Sequence, residues 1–206
     1  MKKILCSIFA ASLMLLGTSA FAQVAIGAGY VNSKQTLANS SGSKSGLSNG
    51  FYVGLEYTVP VGDILGLSAG VNYEWLRSAS DFHLSSLLSG QFNEQYINAP
   101  VRINVGFDLS DGIRFGVFGG PTFSYALAGL ISRDGGISYD IYKTENYQRF
   151  DVLVGGGVNM DILDRIRVSA GYDLGMFNKY PRISDDKDPA SKLTRNRLHA
   201  GVAFLF

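Results

Sequence analysis

The sequence predicts an all-β fold, an eight-stranded antiparallel up-and-down transmembrane β-barrel, and three observations lead to this prediction. Eight segments alternate between apolar and polar residues, and this period of two is typical of a strand with two unlike faces. The apolar face of each segment carries no charge, whereas the opposite face is rich in glycine. The connections alternate between short and long, which indicates a meander of strands.

The N-terminus predicts an export signal that lies outside the fold. Two lysines precede an apolar stretch, and Ala20 and Ala22 form the small-residue pattern of a cleavage site. We therefore divide the chain into a cleaved signal peptide, residues 1–22, and a β-barrel domain, residues 23–206. The only cysteine, Cys6, falls inside the signal, so the mature protein is predicted to have no thiol.

Each predicted strand is long enough to cross a bilayer when tilted, which takes about 9–11 residues. The strands span residues 24–37, 50–61, 65–82, 95–109, 113–129, 147–162, 166–178 and 194–206. Tight turns carry the sequences "VGDI", "SDG" and "LDR". The longer polar loops are 38–49, 83–94, 130–146 and 179–193, and we expect them to face the cell exterior. Short turns and both termini then lie at the opposite end.

Side-chain parity predicts the register of two tight turns. Pairing Leu109 with Ile113 leaves a three-residue loop in which Gly112 takes a positive φ. Pairing Ile162 with Ile166 closes the other turn. The same registers place opposite charges across from each other, in the pairs Asp108–Arg114 and Asp161–Arg167.

The composition of the polar face decides which face is inside. A water-exposed face would be rich in Lys, Glu and Thr, but this one consists of glycines separated by single charges. Small residues suit the crowded concave side of a small barrel, and bulky apolar residues then meet lipid, with aromatic girdles at both ends. The alternative is a secreted, lipocalin-like binder whose apolar faces line a cavity.

Several stretches carry a family resemblance. The pair "YINAPVRINVGF" and "RFGVFGGPTFSYALAG" resembles the central hairpin of the PorT-like outer membrane protein beta-barrel domain group, with OmpX- and OmpA-like barrels as architectural relatives. The C-terminal "HAGVAFLF" is similar to the assembly signal of this family, at His199, Gly201, Phe204 and Phe206. The resemblance implies a place in the Gram-negative outer membrane and recognition by the barrel-assembly machinery.

Charged residues on the inward face are the first candidate functional group. The predicted polar network of the lumen, a belt from the middle of the barrel to the long-loop end, consists of Glu56, Glu74, Arg102, Asp151, Asp173, Arg195, Arg197 and His199. These side chains either form an ion or solute path or pair with each other and plug the barrel. Eight strands leave an interior just wide enough for side chains, and buried charges need partners, so we expect a plug.

A second candidate is His83, which lies near acidic and hydroxyl residues, Asp81, Ser85 and Ser86. A lipid-modifying hydrolase would need the histidine within hydrogen-bond reach of a nucleophile. Spacing on a loop does not establish that contact, so we expect a surface histidine.

The carboxylates of "RISDDKDP" and the glycine runs are two weaker candidates. Asp185, Asp186 and Asp188 suggest a divalent cation, but Lys187 interrupts them and a solvated loop is expected. Glycine runs such as "GGG" would cradle a phosphate only at the start of a helix. Here they lie inside predicted strands, so we expect packing against the lumen.

The sequence therefore favours a non-enzymatic membrane protein with a structural or interaction role and no cofactor. Its balanced charge, 18 basic against 17 acidic residues, gives no sign of a nucleic-acid partner. The expected partners are outer-membrane lipid, the barrel-assembly machinery and an extracellular ligand or protein at the long loops. A narrow porin-like pore, or a component of secretion or envelope assembly, remains the alternative.

Overall fold

The structure, a computed structural model, describes residues 23–40, 42–78, 82–84, 89–132, 138–180 and 191–206. Its strands are β1 (Gln23–Asn39), β2 (Gly42–Val61), β3 (Leu65–Ser78), β4 (Phe82–His83), β5 (Ser89–Ser110), β6 (Ile113–Ser132), β7 (Ser138–Asp140), β8 (Phe150–Ile162), β9 (Ile166–Gly175) and β10 (Lys192–Leu205). A four-residue helix, α1, spans Ile141–Thr144. The predicted signal peptide lies outside the described residues. No helix in the described ranges is long and apolar enough to cross a membrane.

Eight long strands close into a ring, which confirms the predicted fold. Each pairs antiparallel with its neighbours in the order β1-β2-β3-β5-β6-β8-β9-β10. Pairing of β10 with β1, from Ala25↔Leu205 to Ala38↔Lys192, completes the ring. The short strands β4 and β7 add to β5 and β6 at the long-loop end.

The apolar faces point outward, as the sequence predicts. Ile26 and Leu55 are each 51% exposed and Ile103 is 60% exposed, while Arg195 on the opposite face is completely buried. A surface this apolar is stable around a closed barrel in lipid. The lipocalin-like alternative is wrong, because the apolar faces lie on the outside of the closed ring.

The short turns, the first described residues and the C-terminus share one end of the barrel, as predicted for the barrel domain. The last residues are held by backbone hydrogen bonds from Leu205 N to Arg165 O, 2.7 Å, and from Phe206 N to Val24 O, 2.9 Å. The β8–β9 turn has the predicted register, with Ile162 opposite Ile166.

The β5–β6 turn differs from the prediction by one residue. Asp108 pairs with Arg114 as expected, but Ser110, not Leu109, pairs with Ile113. A bulge at Leu109 absorbs the extra residue, and the loop shortens to two residues with Gly112 at φ 76°. A two-residue loop with glycine at positive φ matches the twist of the strands better than the predicted loop of three.

Several strands continue past the predicted boundaries at the long-loop end. β1 and β2 stay in register to Asn39↔Gly42, so the predicted loop 38–49 is mostly a β-hairpin. β5 likewise begins at Ser89, inside the predicted loop 83–94. Beyond the bilayer the outward face meets water, and the largely polar sequence there alternates less clearly in hydropathy, so these parts of the strands escaped detection.

Proline interrupts the ladder in the central hairpin. The β3–β5 pairing skips Ala99 and Pro100, and the β5–β6 pairing skips Val101 and Arg102 opposite Gly120 and Pro121. Because proline has no N–H to donate, the ladder resumes only on either side of these residues.

We expect the mature protein, refolded in detergent, to run as a compact band that shifts after heating and to resist protease when unheated. A closed ring has no free strand edge at which detergent or protease begins to open it. Electrophoresis of heated and unheated samples measures this directly. A single unshifted band from protein soluble without detergent contradicts the outward placement of the apolar faces.

Candidate functional site: the charged interior of the barrel

A cluster of alternating charges fills the middle of the barrel. Glu74 on β3 is wholly buried and forms ion pairs with Arg195 and Arg197 of β10, the latter at 3.1 Å. Arg197 Nε also donates to Asp173 on β9 at 2.9 Å. His199 Nε2 lies 3.5 Å from the same aspartate. These four charged residues and the adjoining imidazole of His199, together the middle ion cluster, tie β3, β9 and β10 together across the lumen.

Neutral side chains provide further hydrogen bonds and a ring contact to the middle ion cluster. Asn98 donates to Glu74 at 3.1 Å, and Ser124 donates to Asn98 at 2.6 Å. Arg195 donates to Ser33 at 3.1 Å and lies 3.7 Å above the ring centroid of Tyr96. The buried charges thus have ionic partners and hydrogen bonds, which offset the free-energy cost of their desolvation.

Inward glycines leave space for aromatic rings beside the cluster. A Cβ added at Gly29 would lie 2.7 Å from the Tyr52 ring, and one at Gly157 would lie 2.6 Å from the Phe118 ring. Because strands β1 and β8 carry no side chain at these positions, the two rings can extend into the lumen. The glycines of the polar face therefore provide packing space, as the sequence predicts.

A second group of charges lies closer to the short turns. Glu56 on β2 pairs with Arg102 on β5 at 3.3 Å and with Arg167 on β9 at 3.5 Å. Arg167 also holds Asp161 at 2.7 Å, beside the β8–β9 turn. This lower ion cluster extends the charged interior nearer the short-turn end than the predicted belt.

A small cavity of about 80 Å³ separates the two clusters. Its lining includes Tyr52, Glu56, Arg102, Phe118 and His199. Its volume has room for a few water molecules at most. A wider opening of about 520 Å³, lined in part by Arg114 and Arg167, leads from the short-turn end toward the lower ion cluster.

The long-loop end is closed by an outer cap. Lys179, which lies beyond the end of β9, donates to the hydroxyls of Tyr96 at 2.8 Å and Tyr142 at 3.0 Å. Tyr96 in turn donates to Glu94, which also accepts from Gln35 at 2.6 Å. The apolar part of the cap consists of Val31, Leu37, Leu76, Leu84, Phe92, Ala126, Ile131, Ile141, Tyr147 and Leu193, with Tyr96 and Tyr142 again among them.

Burial shifts the acidity of the cap residues that lie outside the strands. It lowers the pKa of the Lys179 ammonium to about 8, although the carboxylate of Glu94 acts in the opposite direction. It raises the pKa of the Tyr142 hydroxyl well above its usual value.

The structure brings most of the predicted polar network together. Five predicted residues form the middle ion cluster, and Glu56 and Arg102 belong to the lower ion cluster. Asp151 is buried but makes no ion pair with a described residue. It accepts instead from the backbone N–H of Phe177 at 3.1 Å.

The other predicted candidates lie elsewhere. His83 is exposed at the end of β4, while Asp81, Ser85 and Ser86 and the three aspartates at 185, 186 and 188 lie outside the described residues. In the C-terminal signal, Phe204 and Phe206 face outward with ring centroids 4.9 Å apart. No group of three or more metal-ligating side chains occurs in the described ranges.

Sequence reasoning missed the outer cap. It placed Arg167 opposite Asp161 on the inward face, as the structure confirms, but did not include either residue in the lumen network. Phe92, Glu94 and Tyr96 share the parity of the inward Asn98, so their alternation carried a signal, but it was assigned partly to a loop. Lys179 lies in an irregular segment, where no period indicates the direction of a side chain.

Comparison with known proteins places this geometry in a family. The family model for the outer membrane protein beta-barrel domain matches residues 8–206. This confirms the resemblance to small outer-membrane barrels, whereas the finer PorT-like similarity stays a prediction. No curated protein matches the chain.

Three solved structures have a similar fold. Neisserial surface protein A is 17% identical, with a TM-score of 0.48 over 87% of this chain and 97% of that chain. Ail, the attachment invasion locus protein of Yersinia pestis, is 15% identical, with a TM-score of 0.44 over 90% and 99%. The outer membrane protease OmpT from Escherichia coli is 8% identical, with a TM-score of 0.47 over 92% and 98%.

We expect Glu74→Gln to lower the free energy of unfolding by about 3–5 kcal/mol, because it leaves two buried guanidinium groups short of a carboxylate. Asp108→Asn is the matched control. It breaks an ion pair in which the Asp108 side chain is 73% exposed, and such a change costs about 0–1 kcal/mol. Urea unfolding of the refolded protein measures both, and equal losses contradict a structural role for the middle ion cluster.

The shifted pKa of Lys179 predicts that stability rises with pH between about 8 and 10. In this window the folded lysine is neutral, whereas the unfolded lysine, with its usual pKa of 10.5, keeps its proton. The unfolded chain thus binds more protons, so raising the pH favours the folded state, by on the order of 1–2 kcal/mol. At higher pH, ionisation of tyrosines in the unfolded chain opposes this gain.

The urea concentration at the unfolding midpoint, measured at about pH 7.5, 8.5 and 9.5, tests this pH dependence. Lys179→Met removes the rise, and Lys143→Met, which changes an exposed lysine on α1, leaves it in place. A rise that persists in Lys179→Met shows that another group titrates.

Proposed function

The chain belongs to the outer membrane protein beta-barrel domain family, and we propose that it serves as a non-enzymatic interaction module in the outer membrane. In this proposal the barrel anchors and orients a rigid rim, the ends of the β1–β2 and β5–β6 hairpins at the long-loop end. The rim meets an extracellular ligand or protein. The C-terminal strand, with its paired aromatic residues, serves recognition by the barrel-assembly machinery.

The filled interior is the observation that carries this proposal. The lower ion cluster, the middle ion cluster and the outer cap follow one another along the barrel, and each joins side chains from several strands. Charges that neutralise each other at contact distance are poorly suited to bind a solute or transfer protons to one. Their arrangement instead holds the wall rigid beneath the rim.

Rigid hairpins support an interaction role for the rim. β1–β2 stays paired to Asn39↔Gly42, and β5–β6 stays paired to Gln91↔Ser132. The cap residues pack between strands of both hairpins. A surface built on paired strands loses less conformational entropy on binding than a flexible loop. The same rim would suit a component of secretion or envelope assembly, a role that the PorT-like resemblance allows.

A gated narrow pore is the second candidate. The opening at the short-turn end reaches Arg167, and the small cavity lies beyond it. The middle ion cluster and the outer cap are then the barriers to a continuous water path. The pore hypothesis requires that both of them move.

We expect the wild-type barrel to show no conductance steps in planar bilayers, because the cap and both ion clusters occupy the lumen. Arg102→Gln should remain closed, since the middle ion cluster and cap are still present. A double variant, Phe92→Ala with Tyr142→Ala, removes two large cap side chains and should also remain closed, because the middle ion cluster still fills the lumen. Conductance in the wild type that changes in Arg102→Gln contradicts the plugged interior and favours the pore.

A further inference from the structure

Outward side chains of four adjacent strands form two level rows near the long-loop end. The lower row is aromatic, with Tyr30 opposite Phe51 and Phe51 opposite Trp75. One step above it, a polar row runs Asn32, Asn49, Arg77 and Asn93 across β1, β2, β3 and β5. Lys34 follows two residues beyond Asn32 on the same face of β1.

The polar row lies where the apolar band ends. On β3 the outward positions from Leu65 to Trp75 are apolar throughout, and Arg77 is the next outward residue. That apolar stretch spans about 25 Å along the barrel axis once the strand tilt is included, the height of the hydrocarbon band. Arg77 therefore lies at the depth of lipid headgroups.

Donors in the polar row point to an anionic ligand. Asn49 Oδ1 accepts from both Tyr30 Oη and Asn32 Nδ2, each at 2.6 Å, so the amide N–H groups of Asn49 remain for another acceptor. Arg77 and Lys34 are exposed and form no ion pair with a described residue. The outward faces of β1, β2, β3 and β5 carry no carboxylate in their described residues.

A lipid phosphate fits this combination. Its oxygens accept from guanidinium, ammonium and amide donors at once, and its acyl chains lie along the apolar band below. Arg77 and Lys34 are two strands and two residues apart, on the order of 12 Å between backbones. Both side chains are long enough to converge on one phosphate from opposite sides.

We propose that Lys34, Asn49 and Arg77, above the aromatic row, form a binding site on the outside of the barrel for the phosphate headgroup of a membrane lipid. The site rests on the placement of the barrel in a membrane and adds to it a preference for one lipid chemistry. It fixes the depth and rotation of the rim relative to the membrane surface.

The only tryptophan of the chain, Trp75, reports on this site directly. The full mature protein is reconstituted in phosphatidylcholine vesicles, with a small fraction of lipid carrying a nitroxide near its headgroup. Labelled phosphatidic acid is compared with labelled phosphatidylcholine at the same mole fraction. We expect labelled phosphatidic acid to quench Trp75 fluorescence more strongly than labelled phosphatidylcholine, by an amount that corresponds to an enrichment of at least about fivefold beside Trp75. One cation at a membrane surface favours an anionic lipid by about this factor.

Arg77→Gln together with Lys34→Gln should remove this preference while leaving quenching by phosphatidylcholine unchanged. Lys143→Gln removes an exposed lysine of α1, outside the two rows, and should keep the preference. Equal quenching by the two lipids in the wild type, or a preference that survives in the double variant, overturns the lipid site. Loss of the preference on adding inorganic phosphate also overturns it, in favour of a free-phosphate site.

Failure of the lipid site is distinguishable from failure of the proposed function. If neither lipid quenches Trp75, the aromatic row is not in contact with a bilayer, and the membrane placement itself is wrong. If both quench equally, the membrane placement stands and only the phosphate site is lost.

Discussion

Closure of the strand ring is the constraint on which the rest of the structure depends. In lipid no water is present to bond a free backbone N–H or C=O, so every strand needs two neighbours. The antiparallel pairing of β10 with β1, from Ala25↔Leu205 upward, provides the last of them. Once the ring is closed, alternate side chains must face lipid and lumen, and the two faces acquire opposite chemistries.

The narrow interior then determines how charges are arranged. Eight strands leave space for little beyond side chains, and a lone charge there is destabilising. Glu74, which pairs with Arg195 and Arg197, joins strands that are not adjacent in the ring. Such pairs hold opposite walls at a set separation. Glycines beside Tyr52 and Phe118 let rings fill the space that charges leave.

Constraints change where the barrel leaves the bilayer. Strands β1, β2, β5 and β6 continue beyond the apolar band, and the interior between them becomes an apolar cap with Lys179 held by two tyrosine hydroxyls. A cap of this kind makes the rim a rigid platform. On the outward face of β3, the aromatic Trp75 is followed two residues later by the charged Arg77. The outer surface therefore changes from apolar to charged over a short distance, as the bilayer does between hydrocarbon and headgroups.

The sequence by itself determined the number of strands in the ring, their order and the face that meets lipid, because bilayer and lumen impose opposite polarities on neighbouring residues of a strand. It also identified most lumen charges, since a single charge among glycines stands out on an inward face. Turn register also predicted two ion pairs, Asp108–Arg114 and Asp161–Arg167, which the structure confirms. Only the tertiary structure decided which charges pair in the middle of the barrel. Arg197 lies directly opposite Asp173 in the β9–β10 ladder, but it also reaches Glu74 on β3, which is not a neighbouring strand. The alternation of faces does not show which of these contacts will form.

The remaining differences lie where the alternation stops. Beyond the bilayer, residues 42–49 pair as a strand through backbone hydrogen bonds that leave no mark in hydropathy. The direction of Lys179 depends on packing against Tyr96 and Tyr142, which are distant in sequence. The bulge at Leu109 reflects turn geometry rather than side-chain polarity. The alternation in hydropathy thus predicted the strands wherever they contact lipid. Three-dimensional packing decided the strand extensions, the direction of Lys179 and the turn geometry.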